Sequence, residues 1–260
     1  MPSFDQYAAR YEFIKMERRD GILQMTLHTE GGPFRWSLKP QAELVQAFAD
    51  VGADRENRII ILTGTGDEFS GPRADPNQSV YQKSGMTITP SALAQADWNA
   101  KRLMTHLLDI EVPMIAAVNG PAKRHSELAL LCDIVIAADD ASFEDTAHFH
   151  LGGHVPGDGI NVIYTMLLGI NRARYFMFMG EVINAREAKE LGLVSELMPR
   201  DRLLPRAWDI ARQLAGKPDL LLRNTRIVLT QPLKKMMDEG IGYFTAMEAL
   251  ATLDHLGHKT

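Results

Sequence analysis

A mixed α/β fold, with parallel strands covered by helices, follows from three observations in the 260-residue sequence. Short, fully apolar runs alternate with segments of helical period, each of these runs ends in a polar turn, and the pattern from Ile160 onward is mostly helical. Apolar runs this short are strands buried on both faces, which requires helices on both sides of the sheet.

Residues Tyr11 to Thr29 read as a hairpin, because two β-rich runs flank the turn pair Asp20-Gly21. Leu38 to Val51 has helical spacing, with Leu44, Val45 and Phe48 on one side. Ile59 to Leu62 is the first apolar strand and ends at Thr63-Gly64. Gly71 to Pro90 is rich in Gly, Pro, Asn, Gln and Ser and reads as a mobile loop, after which a helix covers Ser91 to Ile110. Met114 to Val118 and Asp133 to Ala138 are two further strands, with a short helix between them through Leu128 to Leu131. Strands each broken by a polar turn suggest a strand–strand–helix spiral, although no strict repeat is visible. Helical patterns then cover 160–168, 172–179, 185–191, 202–215, 220–230 and 233–256. A boundary near Pro199 divides a core, 1–199, from a helical assembly region, 200–260, whose Tyr243, Phe244 and Met247 need a partner surface.

The bulk numbers exclude several classes. A hydrophobic fraction of 45% and a charged fraction of 23% are ordinary for a globular chain, and a net charge of −5 implies no polyanion-binding face, so no nucleic acid is expected. The single cysteine, Cys132, leaves no internal disulfide and no Cys-based zinc site. No apolar run approaches the ~20 residues of a membrane span, and the start lacks a leader pattern, so a cytoplasmic protein without membrane contact is expected.

The stretch Met114 to Ala138 reads MIAAVNGPAKRHSELALLCDIVIAA. It resembles the signature of the crotonase (enoyl-CoA hydratase/isomerase) superfamily: a strand, Asn-Gly, a Gly-rich turn, Glu-Leu-Ala and Cys-Asp. Ile61-Leu62-Thr63-Gly64 before Phe69-Ser70, Phe143, Val155-Pro156-Gly157, Glu187-Ala188 and Leu191 to Val194 agree in order. The resemblance implies the crotonase-type ββα spiral, a C-terminal helical assembly region, and a homotrimer or dimer of trimers.

The departures point to one branch. Arg124-His125-Ser126 replaces the Gly-rich turn, and Gly71-Pro72-Arg73-Ala74-Asp75 replaces Ala-Gly-Ala-Asp. Proline has no N–H, so both halves of the usual thioester oxyanion hole are altered. Glu127 stands where hydratases keep one catalytic glutamate, but the second glutamate is missing near Phe143. These features are similar to the β-diketone hydrolase branch typified by 6-oxocamphor hydrolase. That likeness singles out His125, Asp145 and His148, Asp158 within Val155 to Gly159, Trp36, and Glu248 in the last helix. Gln41 and His154 depart from the branch and bear on substrate choice.

Hydrolysis of a β-diketone requires a base for water, donors for the developing oxyanion, and donors for the leaving enolate. A neutral histidine held by a carboxylate supplies the first, with an expected apparent pKa within about a unit or two of 6.5. His148 is the expected base and Asp158 its partner; His125 and the Trp36 indole N–H are the expected donors. Glu248 would complete the network, from its own subunit or a neighbour. No cofactor, no CoA and no metal is implied. Three alternatives stay open: an enoyl-CoA hydratase/isomerase acting on a CoA thioester, a metal-dependent hydrolase built on His148, His150 and His154 with Asp145 or Asp158, and a silent scaffold. The remaining histidines, His28, His106, His255 and His258, read as structural or surface groups, and the loop Gly71 to Ile88 is expected to cover the site.

Overall fold

The computed structural model describes residues 3–85, 87 and 89–257; Ile88 and His258 lie outside the described residues. After a short helix α1 (Phe4–Ala8), strands β1 (Ile14–Arg19) and β2 (Ile22–Leu27) form the hairpin. Its turn residues Asp20 and Gly21 take φ of 51° and 75°, the left-handed pair that a two-residue hairpin turn needs. Helix α2 (Leu38–Ala53), strand β3 (Ile59–Thr63), helices α3 (Val80–Lys83) and α4 (Pro90–Asp109), and strand β4 (Met114–Val118) follow. Next come α5 (Glu127–Leu130), β5 (Ile134–Ala138), β6 (Ser142–Phe143), α6 (Ile160–Leu168), α7 (Ile170–Met179), β7 (Ile183–Asn184), α8 (Ala185–Glu190) and β8 (Glu196–Met198). Helices α9 (Arg200–Ala215) and α10 (Asp219–Gly257) end the described chain.

The main sheet runs β1-β2-β3-β4-β5-β8, and every pairing from β2 onward is parallel. A second layer shows the spiral that the sequence only suggested. Single parallel bridges join Arg35 to Gly71, Ser70 to Ala122, and Ala122 to Phe143, one step from each successive turn of the chain. This layer brings the segments near 36, 70, 124 and 145 side by side, although long stretches of sequence separate them.

Alternate strand residues feed two cores, as the period of two requires. Ile60, Leu62, Met114 and Ala116 join the larger one with α2 and α4. Ile59, Ile61, Ile115 and Ile136 pack with Leu203, Ala207, Ile210 and Ala211 of α9 on the opposite face. Residues beyond 199 thus pack on the body: α9 covers the sheet and α10 lies along α4 and α6.

The last two expected helices are one. Helix α10 spans 39 residues and continues through Pro232. A proline in a helix removes one N–H and crowds the carbonyl four residues back. Here that residue is Val228, whose side chain is 69% exposed, so the orphaned carbonyl lies on the solvent side of the helix. Among the described residues, no helix is long and apolar enough to cross a membrane.

Candidate active site

Four segments converge on one cavity. Trp36 enters from the loop before α2, and Arg124 and His125 from the turn after β4. His148 and Asp158 enter from the segment between β6 and α6, and Glu248 from α10. All five residues expected from the sequence therefore line the same space. Glu248 reaches the cavity of its own chain, so no neighbouring subunit is needed to supply it.

The turn that carries His125 is held from behind. Ser70 Oγ donates to Arg124 O at 2.5 Å, and Ser126 Oγ donates to Glu144 O at 3.0 Å. Held this way, His125 takes φ of 53°, in the left-handed region that few residues other than glycine occupy. The conformation presents the imidazole to the cavity where a glycine turn would present backbone. The ring stacks on the Trp36 indole at a centroid distance of 3.6 Å. Its Nδ1 lies 2.7 Å from Glu127 Oε1 and 3.4 Å from Asp158 Oδ2.

Glu127 is completely buried, and burial raises its pKa while the His125 charge pulls it down. The hydrogen bond between Glu127 Oε1 and His125 Nδ1 occupies that ring nitrogen and leaves Nε2 as the nitrogen available to the cavity. Glu127, at the family glutamate position, thus anchors the His125 ring at the cavity wall. The Trp36 N–H makes no hydrogen bond among the described residues, so it is a free donor at the cavity wall.

His148 sits between two carboxylates. Nδ1 lies 2.7 Å from Asp145 Oδ1, and Nε2 lies 3.3 Å from Asp158 Oδ2. The expected His148–Asp158 pair is present, and Asp145 adds a second carboxylate that the sequence reading did not pair with His148. Asp145, three residues earlier on the same segment, makes the shorter contact, at Nδ1, while Asp158 faces Nε2. Burial alone would depress the His148 pKa, but the charges and hydrogen bonds of Asp145 and Asp158 outweigh it and raise the value well above 6.5. Asp158 would be raised by burial, yet His148 and His125 hold it far below the usual carboxylate range. Two glycines set Asp158 in place. A Cβ on Gly157 would fall 2.4 Å from Phe244 O of α10, and Gly159 has φ of 112°.

Glu248 has the opposite character. Burial, reinforced by the charge of Asp158 and opposed by that of His148, pushes its carboxyl up to about 8. This shift favours its protonated form, which can donate a hydrogen bond. His154 is pulled down to about 4, first by burial and then by the His148 and Arg124 charges, and its Nδ1 lies 2.8 Å from Thr252 Oγ1. His154 is therefore a neutral wall of the cavity.

The alternative metal set is not gathered among the described residues: His148 and His154 line the cavity, whereas His150 is exposed and does not. Among the described residues, His125, Glu127 and Asp158 bring ligand-capable atoms within 4.8 Å of one another. Two site features escaped sequence reasoning. Asp145 was read as part of a motif but not as a partner of His148. Arg124 was read only as a lost glycine, yet its side chain is buried at the cavity wall. The usual backbone donors before α3 are also accounted for: Gly71 N–H donates to Phe34 O at 3.1 Å, and Ala74 N–H donates to Thr146 Oγ1 at 3.1 Å.

Comparison with known proteins places this architecture. The chain matches the enoyl-CoA hydratase/isomerase family over residues 17–250. It is 32% identical over 219 residues to a probable enoyl-CoA hydratase of Mycobacterium tuberculosis, covering 81% of this chain and 74% of the relative. It is 27% identical over 235 residues to a crotonyl-CoA hydratase of Syntrophomonas wolfei, covering 89% and 86%. Among solved structures it resembles a β-diketone hydrolase from the cyanobacterium Anabaena sp., bound to (S)-3-oxocyclohexyl acetic acid. There the TM-score is 0.88 and the identity 39%, over 96% of this chain and 97% of that one. The chain belongs to the enoyl-CoA hydratase/isomerase, or crotonase, family and has its spiral fold.

Proposed function

We propose that the protein is a hydrolase that cleaves a carbon–carbon bond of a β-diketone by a retro-Claisen reaction, with protein groups filling every catalytic role. The observation that carries this reading is His148, held at Nδ1 by Asp145 and turned with Nε2 toward Asp158 inside the cavity that His125 and Trp36 line. The resemblance to a β-diketone hydrolase bound to a keto acid supports it. So do Pro72 and the engaged amides of Gly71 and Ala74, which leave the thioester oxyanion hole incomplete.

In this mechanism His148 Nε2 takes a proton from water as the water oxygen adds to one carbonyl. Asp145 and Asp158 stabilise the imidazolium. The developing oxyanion accepts hydrogen bonds from His125 Nε2–H and the Trp36 indole N–H, each typically worth a few kcal/mol in the transition state. Collapse of the tetrahedral adduct breaks the carbon–carbon bond and expels an enolate. Protonation of the enolate carbon by the imidazolium, directly or with Glu248 relaying the proton and being reprotonated from His148, releases a keto acid. Atoms balance: one water is consumed, its hydroxyl joins the new carboxyl group, and its proton ends on carbon.

The named hydratase relatives supply the second reading, hydration or isomerisation of a CoA thioester. Glu127 favours it, because it stands at a family glutamate position, but its Oε1 is committed to His125 and its other oxygen has no partner. A panel of cyclic and linear β-diketones, assayed for acid release beside crotonyl-CoA hydration, separates the two. Acid release from a diketone with no hydration of crotonyl-CoA is expected; hydration without acid release would establish the second reading. The oligomer proposed for the chain is a trimer or a dimer of trimers.

A further inference from the structure

Arg124 is a buried cationic residue of the cavity wall whose chemistry the proposed mechanism leaves unused. Its residue is only 8% exposed, and its Nε has no hydrogen-bond partner. Among the described residues, no carboxylate comes within ion-pair distance of its guanidinium, although Asp145 and Asp158 act on it from farther away. An unpaired buried cation is costly, and arginine is the side chain best shaped to take a carboxylate through two parallel hydrogen bonds.

Its position supplies the second observation. The catalytic cavity, about 60 Å³, shares Trp36, Leu38, Val80 and Arg124 as walls with an outer cavity of about 470 Å³. The outer cavity is lined by Arg35, Lys39, Lys83 and Arg124 and by no acidic residue. Arg35, Lys39 and Lys83 are each paired elsewhere, with Glu68, Glu12 and Asp75. Of these four cations, Arg124 is the one whose guanidinium has no ion-pair partner among the described residues.

We propose that the substrate is a β-diketone carrying a carboxylate set apart from its two carbonyls, and that this carboxylate pairs with Arg124 where the catalytic cavity meets the basic outer one. This rests on the β-diketone reading of the same site. The carbonyls lie inward against His125 and His148, and the anionic substituent lies outward. The carboxylate created by hydrolysis forms at the carbon that water attacks, beside His148 and the negative Asp158, so it is the less suited occupant of Arg124.

The test uses a cyclic 1,3-diketone, doubly substituted at the central carbon, whose side chain ends in a carboxylate, and compares it with its methyl ester. Wild-type kcat/KM should favour the acid by roughly 10- to 100-fold, the range of a charge-assisted hydrogen-bonded pair, and the ratio should fall with added salt. In Arg124→Met the ratio should collapse toward one. Arg124→Lys should keep part of it, since the charge remains but the fork is lost. Equal wild-type kcat/KM for acid and ester overturns the proposal, as does a ratio that survives in Arg124→Met. If Arg124→Met weakens only inhibition by the keto-acid product and leaves the ratio unchanged, the residue serves the product and the proposal is also overturned. Should Arg124→Met not fold, the wild-type comparison decides. Turnover of both diketones without discrimination sinks this inference alone. Turnover of neither sinks the hydrolase reading, and calorimetric binding of acid against ester then decides the role of Arg124: preference for the acid supports it, and equal affinity overturns it.

Discussion

His148 is flanked by two carboxylates, and this fixes how the protein should respond to pH. The charges of Asp145 and Asp158 outweigh burial and raise its pKa well above 6.5, which favours the imidazolium. In the proposed mechanism His148 acts unprotonated, and kcat/KM should therefore rise with pH along a limb placed above 6.5. Glu248, at about 8, adds a falling limb if its proton is used. The measured values belong to the coupled network and not to single residues. Asp158→Asn removes one of the two charges that raise His148 and should move the rising limb down toward 6.5 while cutting kcat. Asp145→Asn should do the same. His148→Ala should nearly abolish turnover, and the losses in His148→Ala and Asp158→Asn should not add, because both disable one unit. Steady-state pH profiles of the variants check this, and an unmoved limb in both asparagine variants would remove His148 from the base role. Stability has the same linkage. The stabilisation tied to the raised His148 pKa is fully present below 6.5 and is lost as pH rises through the folded value. That tied to Asp158 is present above the usual carboxylate range and is lost in strong acid.

Much of this residue set was legible in the sequence because motif positions announce chemistry. His125, His148, Asp158, Trp36 and Glu248 could be named from resemblance alone, and the structure brings them together. What could not be read was which carboxylate meets which nitrogen. Asp145 and Asp158 both lie near His148 in sequence, and only the backbone path decides that the first takes Nδ1 and the second faces Nε2. Arg124 was invisible for a different reason: an arginine in a turn is ordinarily solvated, and burial is a property of the folded chain.

At the level of elements, the segment 155–159 depends on its closeness to α10. Gly157 faces Phe244 O, and any Cβ there must push the helix or the segment away. Gly157→Ala should therefore displace Asp158 and cost about 1–3 kcal/mol of stability, the usual range for overpacking. Thermal denaturation read beside kcat measures both effects, and wild-type values for each would show that the approach is not required. Strands and most helices were legible here because apolar runs, helical spacing and turn residues are local signals. The continuity of α10 through Pro232 was not, because it depends on where the solvent lies. Helix α1 and strand β8 were also not legible, being short and without a periodic pattern.

For the whole molecule, α7 carries the clearest sign of assembly. Ile170, Tyr175, Phe178 and Met179 are each more than half exposed, and Phe178 meets the exposed Phe149, one residue from His148. An apolar patch of this kind marks an interaction surface. Tyr243, 66% exposed, extends the apolar surface on α10, whereas Phe244 packs against the core. Light scattering at micromolar concentration should give a trimer or hexamer mass, and Phe178→Asp should lower it; a wild-type monomer would refute the assembly. Chelation should leave turnover unchanged, since each role has a side chain. Loss on chelator treatment, restored by zinc, would instead point to His125, Glu127 and Asp158 as ligands.

The central claim is that water, activated by His148, ends up in a new carboxyl group. It is tested most directly by turning over a non-enolisable cyclic β-diketone in isotopically labelled water and reading the product by mass spectrometry. The predicted result is a ring-opened keto acid with one labelled oxygen in its carboxyl group, formed by the wild type and not by His148→Ala. No keto acid from any diketone, together with labelled water added across the double bond of crotonyl-CoA, would contradict it.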